Sequence, residues 1–91
     1  MKLEFRAMPP STITLDGVKI GKTPVTVTVP IKTTPVKAVA RGKVTRYYRR
    51  EGKKVLIVEQ TLEVVPDHDQ TIDFTKLVPI ENQPLDEEQA P

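Results

Sequence analysis

A chain of 91 residues with fourteen basic and twelve acidic residues and no cysteine is one small domain. It buries only about 60–65% of the surface that its unfolded form exposes, and without cysteine neither a disulfide framework nor a thiolate metal centre can supplement so thin a core. No apolar run approaches the roughly eighteen residues of a spanning helix, and MKLEFRAM at the start lacks a signal peptide's apolar region, so the expectation is a soluble chain not secreted by the usual route.

Leu3, Phe5 and Ala7 alternate with Lys2, Glu4 and Arg6, the period of a strand with one buried face, and Pro9-Pro10 ends it. Thr12 to Pro30 then writes three short strands. Ile13 and Leu15 alternate with threonines, Asp16-Gly17 closes a two-residue hairpin, Val18 and Ile20 continue the apolar face, and Val25, Val27 and Val29 alternate with Thr26 and Thr28. Asp-Gly suits a type I′ turn, whose two central residues both need positive φ. Prolines bracket Ile31 to Pro35, which reads as a connection rather than a helix.

Val36 to Val44 reads as strand, with Gly42 predicted to form a bulge. Val55 to Val65 is apolar on both faces. Such a run is either a central strand covered on both sides or a strand whose register switches at a bulge near Glu59 and Gln60, and the bulge is favoured. Pro66-Asp67-His68-Asp69 is a turn, and Ile72 and Phe74 mark a closing strand. No window has helical periodicity. The expected fold is all-β, about seven strands in a small β-sandwich or open barrel over residues 1–77, followed by an acidic, proline-containing extended tail over 78–91.

Charge is distributed unevenly. Lys37 to Lys54 carries eight of the fourteen basic residues with Glu51 as its one acid, whereas the chain beyond Leu77 carries Glu81, Asp86, Glu87 and Glu88 and no base. The densest cluster is Arg46-Tyr47-Tyr48-Arg49-Arg50-Glu51-Gly52-Lys53-Lys54. With Glu51-Gly52 as a two-residue turn, Arg50 would face Lys53 and Arg49 would face Lys54, and like charges placed opposite one another destabilise a strand pair. An anionic partner relieves that repulsion, and Tyr47 and Tyr48 add surfaces for packing or base stacking, one of them pointing inward by the period-two rule. A plainer alternative stands beside this one: the charges solvate a protruding hairpin and keep its edges from pairing with other chains.

Asp67-His68-Asp69 offers potential ligands on consecutive turn residues. The chain has a single histidine, consecutive residues rarely converge on one ion, and a polar turn is the better account. Asp16 is a turn former before it is a catalytic carboxylate, and the glycines are too scattered to cradle phosphate. No catalytic, cofactor-binding or metal-binding residues are assigned.

The order Ile13-Thr14-Leu15-Asp16-Gly17, Val18-Lys19-Ile20-Gly21-Lys22-Thr23-Pro24, then Val25-Thr26-Val27-Thr28-Val29 resembles the PEGA domain family. The resemblance implies a small immunoglobulin-like β-sandwich with a non-catalytic, extracytoplasmic or surface-layer role and no catalytic residues to carry over. Two positions depart from the family's pattern: Met8-Pro9-Pro10-Ser11 stands where Pro-Glu-Gly-Ala is usual, and a longer basic excursion replaces the usual Gly-Tyr after the central strand.

The functional expectation is a non-enzymatic structural protein. It would be built into a larger protein lattice of a virion or a cell surface, with copies of itself or a larger subunit as partners. The contacts expected to hold it are Arg46, Tyr47, Tyr48, Arg49, Arg50, Lys53 and Lys54 on the basic side and Glu81, Asp86, Glu87 and Glu88 on the acidic side. The alternative is a nucleic-acid-binding module that uses the hairpin Arg46 to Lys54.

Overall fold

The computed structural model describes residues 1–80, and they form eight strands and no helix. In chain order these are β1 (Lys2–Ala7), β2 (Ser11–Leu15), β3 (Val18–Lys22), β4 (Val25–Thr28), β5 (Val36–Tyr48), β6 (Gly52–Val64), β7 (Gln70–Phe74) and β8 (Val78–Pro79). They make two sheets, one of order β4-β1-β7 and one of order β3-β2-β5-β6-β8, in an unclosed sandwich. Seven of the strands lie where alternation places them; the eighth is a two-residue strand just beyond Leu77, paired with β6 at Val58 and Glu59.

The core lies between the sheets, where alternate residues of each strand point. Leu3 and Phe5 of β1 and Ile72 and Phe74 of β7 come from the small sheet; Ile13 of β2, Val36, Ala38 and Ala40 of β5 and Val64 of β6 come from the large one. The Phe5 and Phe74 rings stack with centroids 6.4 Å apart. They share this cluster with two alanines whose small side chains leave room for them, so large residues of one layer meet small ones of the other.

The described chain crosses between sheets five times, and two of the crossings, from β1 to β2 and from β3 to β4, contain a cis peptide bond, at Met8-Pro9 and Thr23-Pro24. The two corners are tied together. Thr23 N–H donates to the Ser11 carbonyl at 2.8 Å and Ser11 N–H donates back to Thr23 Oγ1 at 2.9 Å, while Ser11 Oγ donates to the Pro9 carbonyl at 2.7 Å. Ser11 and Thr23 are both buried, so each of these groups would otherwise lie away from water without a partner.

Between β2 and β3, Asp16 and Gly17 both have positive φ, 46° and 85°, as a type I′ turn requires. Asp16 does more than turn: its N–H donates to the Lys37 carbonyl at 2.9 Å and its Oδ1 accepts from Lys37 N–H at 2.8 Å, which brackets the hairpin to the start of β5.

Two expectations about register are corrected. Gly42 is not a bulge, because pairing runs unbroken on both sides of it, with Ser11 and with Val58. Glycine is needed there for space: a Cβ would sit 2.6 Å from Ser11 Oγ and 2.9 Å from the Pro10 carbonyl oxygen. No bulge interrupts Glu59 and Gln60 either, since β5 and β6 pair in one register from Val36↔Val64 to Tyr48↔Gly52. Val55 is an outward residue of that single register and stays 53% exposed, which is why the run looks apolar on both faces. The actual bulge lies in β3 at Ile20, between the pairs Ile13↔Gly21 and Thr14↔Lys19, and Gly21 takes the φ of +144° that it requires.

Candidate functional site

β5 and β6 are each thirteen residues long, about 43 Å at the usual rise per residue. Only their inner halves belong to the sandwich. β2 covers the β5 edge from Ala38 to Gly42, and β8 covers the β6 edge at Val58 and Glu59, with Ile80 N–H donating to the Ile57 carbonyl at 3.1 Å, so from Val44 to Leu56 the two strands run on as a ribbon of their own among the described residues. The ribbon accounts for an elongated molecule of 50 × 20 × 18 Å.

The ribbon brings Arg46, Tyr47, Tyr48, Arg49, Arg50, Lys53 and Lys54 together, as the sequence predicts, but in a different pairing. Its turn is three residues, Arg49, Arg50 and Glu51, followed by Gly52 at φ +79°, a conformation that favours glycine. The expected pairs Arg50 with Lys53 and Arg49 with Lys54 therefore do not form, because Tyr48 pairs with Gly52, which moves the partner of Lys53 from Arg50 to Tyr47 and that of Lys54 from Arg49 to Arg46, three residues along β5. The like-charged pair that does form is Arg46 opposite Lys54.

Alternation puts Tyr48, Arg46 and Lys54 on the face that continues the core, and Tyr47 and Lys53 on the opposite face. The expectation that one tyrosine points inward holds for direction only. Tyr48 lies past the end of the sandwich, 39% exposed, with Lys54 Nζ 5.6 Å from its ring centre, a cation–π contact worth about 0.5–1 kcal/mol at an exposed site. Tyr47 is 77% exposed.

Where the ribbon leaves the sandwich, a groove of about 580 Å³ opens on the outer face of the large sheet, lined by Lys19 and Lys22 of β3, Thr12 of β2, Arg41, Gly42 and Lys43 of β5, Ile57 of β6, and Pro10. Arg41 donates through Nε and a terminal nitrogen to Glu59 Oε2, at 3.0 and 2.8 Å. This exposed pair contributes about 0–1 kcal/mol to stability. Sequence reasoning missed the convergence, because two strands that are not paired with one another, β3 and β5, supply the cations across β2, and only Arg41 and Lys43 show a common face in a linear reading.

The turn Asp67-His68-Asp69 is occupied with structural tasks. Asp69 Oδ1 accepts Lys2 N–H at 2.7 Å, which pins the start of β1, and His68 Nδ1 pairs with Asp67 Oδ1. At the other end of the sandwich a smaller apolar cleft of about 200 Å³ lies between Leu3, Leu15, Val29, Pro30, Val36 and Pro66. Glu81, Asp86, Glu87 and Glu88, the acidic half of the expected contacts, lie outside the described residues.

Among the described residues no helix is long and apolar enough to cross a membrane. No curated protein and no solved structure matches the chain. The PEGA domain profile matches residues 7–64, from the end of β1 through the last residue of β6, which takes in the Asp16-Gly17 turn, the Thr23-Pro24 corner and the whole ribbon. PEGA domains are small β domains often found in surface or extracellular proteins. The match spans more than half of the chain, and the chain belongs to the PEGA domain family.

Proposed function

We propose that this PEGA domain is a non-enzymatic structural module that joins a larger protein lattice through its projecting ribbon. The observation that carries the proposal is the placement of Arg46, Arg49, Arg50, Lys53 and Lys54, with Glu51 as the one acid among them, at the end of a two-stranded arm that pairs with no third strand among the described residues. A two-stranded ribbon is marginally stable in water, and Arg46 facing Lys54 weakens it further. Such an arm gains order when an acidic protein surface lies against it. The sandwich supplies a rigid base, the ribbon supplies reach, and complementary charge selects the partner and sets its register.

The partner in this proposal is another copy of the chain or a larger structural subunit of a virion or cell-surface layer. The acidic residues Glu81, Asp86, Glu87 and Glu88 of a neighbouring copy provide charge of the required sign. Sedimentation velocity at low and high salt tests the self-assembling form. Wild type is expected to associate at low salt and to dissociate as salt screens the contact over about 10 Å and less. The variant with Arg46, Arg49, Arg50 and Lys54 changed to glutamate should stay monomeric while its melting temperature is retained. Equal association by that variant would remove the ribbon from the assembly.

A further inference from the structure

The outer face of the large sheet carries a second charged feature, distinct from the ribbon tip. One row of cross-strand neighbours there reads Lys22, Thr12, Arg41 and Glu59, and the next row towards the tip is Lys43 with Ile57. Lys19, Lys22, Arg41 and Lys43 surround the groove of about 580 Å³ described above, and among the described residues no carboxylate lines it. The period of two then carries the same face outward along β5 from Arg41 and Lys43 to Thr45 and Tyr47. From Arg41 to Tyr47 is about 20 Å of strand.

The two outer faces of the sandwich differ in their balance of charge. On the small sheet, Glu4 salt-bridges Arg6 and Asp73 lies opposite Arg6, so cation and anion alternate. On the large sheet, Glu63 lies opposite Lys37 at the far end of β6, and around the groove Lys19, Lys22, Arg41 and Lys43 outnumber Glu59, which is taken by Arg41. A cationic trough lined with a threonine hydroxyl and ending in an exposed aromatic ring is the combination that holds an unpaired nucleic-acid strand: lysines and hydroxyls take phosphates, and the ring stacks on a base. A duplex would hide the base faces that Tyr47 needs. A carboxylate-rich peptide would use the lysines and leave the ring idle.

We infer that this face, from the Lys19-Lys22-Arg41-Lys43 groove to Tyr47, is a binding track for the phosphodiester backbone of single-stranded nucleic acid. The inference goes beyond protein docking at the ribbon tip and uses the ribbon face opposite Arg46 and Lys54, together with a groove that the docking contact does not involve, so either can fail without the other.

Fluorescence anisotropy with labelled single-stranded oligothymidylate tests it. The full chain is expected to bind at low salt, with log K falling against log salt at a slope of about −3 if four phosphates are contacted. Changing Lys19, Lys22 and Lys43 together to glutamine should weaken binding at least tenfold and flatten that slope to about −1. Tyr47→Ala should cost about tenfold through lost stacking. Arg49→Gln with Arg50→Gln at the tip should change affinity less than threefold. All these side chains are exposed, and an unchanged melting curve confirms the fold of each variant. Absence of binding at low salt, or a groove variant that binds like wild type, would overturn the assignment. Equal affinity for duplex DNA or for polyglutamate would overturn it as well, by showing a general response to polyanions.

Discussion

The inner and outer halves of the β5–β6 hairpin are made by the same two strands in the same register, yet they behave as different materials. At the base, Val36, Ala38, Ala40 and Val64 face a second sheet and are buried. At the tip, Arg46, Tyr48 and Lys54 occupy the equivalent face and meet no second layer among the described residues. Ladder hydrogen bonds are equivalent in the two halves. Each contributes only about 0.5–1.5 kcal/mol net, because water competes for the same groups. What separates the halves is the opposing sheet: apolar burial at about 25 cal/mol per Å² stabilises the base, and the tip has none to draw on.

The sharpest way to break this contrast is to damage the base. Phe74→Ala removes one ring of the stacked Phe5–Phe74 pair from a fully enclosed site and is expected to cost about 3–5 kcal/mol, read as the shift in a urea unfolding midpoint. A domain of this size has roughly 5–15 kcal/mol in total, so the variant should be close to unfolded at moderate temperature.

Two glycines in the one hairpin give a finer comparison. Gly42→Ala at the base drives a methyl group onto Ser11 and the Pro10 backbone and is expected to cost about 2–3 kcal/mol. Gly52→Ala at the tip meets open space and is opposed only by its left-handed φ, about 1 kcal/mol. Gly52→Asn should recover part of that loss, since asparagine tolerates the left-handed region, whereas Gly42→Asn should be worse than alanine. Thermal denaturation of the four variants ranks them, and equal costs at the two positions would contradict the division between base and tip.

The smallest expected effect concerns charge. Arg46→Glu turns the like-charged pair with Lys54 into an attractive one and should stabilise the ribbon by about 0.2–1 kcal/mol. Amide exchange in the ribbon should slow at low salt, and the gain should fade as salt is added. A change in the exchange of Ala38 or Ala40 would mean that the halves are coupled more tightly than their surroundings suggest.

Much of this molecule was legible in its residues because strand formation is a local matter. Alternation in Leu3-Glu4-Phe5, in Ile13-Thr14-Leu15 and in Val25-Thr26-Val27 has period two whatever it packs against, and Asp16-Gly17 carries its own turn chemistry, so the strands and the type I′ hairpin appear where predicted. The basic run was equally plain as a cluster. Its geometry was not. Whether Arg49 faces a strand or caps a turn depends on where pairing starts, and the register set by the whole length of β5 against β6 shifted the partners by three residues.

Gly42 makes the same point from inside the fold. A lone glycine in a strand signals a bulge as readily as a close approach, and only the position of Ser11, held by Thr23 from a different corner of the chain, shows that room for a hydroxyl is the reason. The Lys19, Lys22, Arg41 and Lys43 groove lies further still from a linear reading, since its cations meet only after β3, β2 and β5 are laid side by side. Local sterics and alternation choose strands and turns within a few residues, whereas strand order and the facing layer depend on contacts between distant segments, and it is those contacts that bury one half of a hairpin and leave the other projecting into solvent.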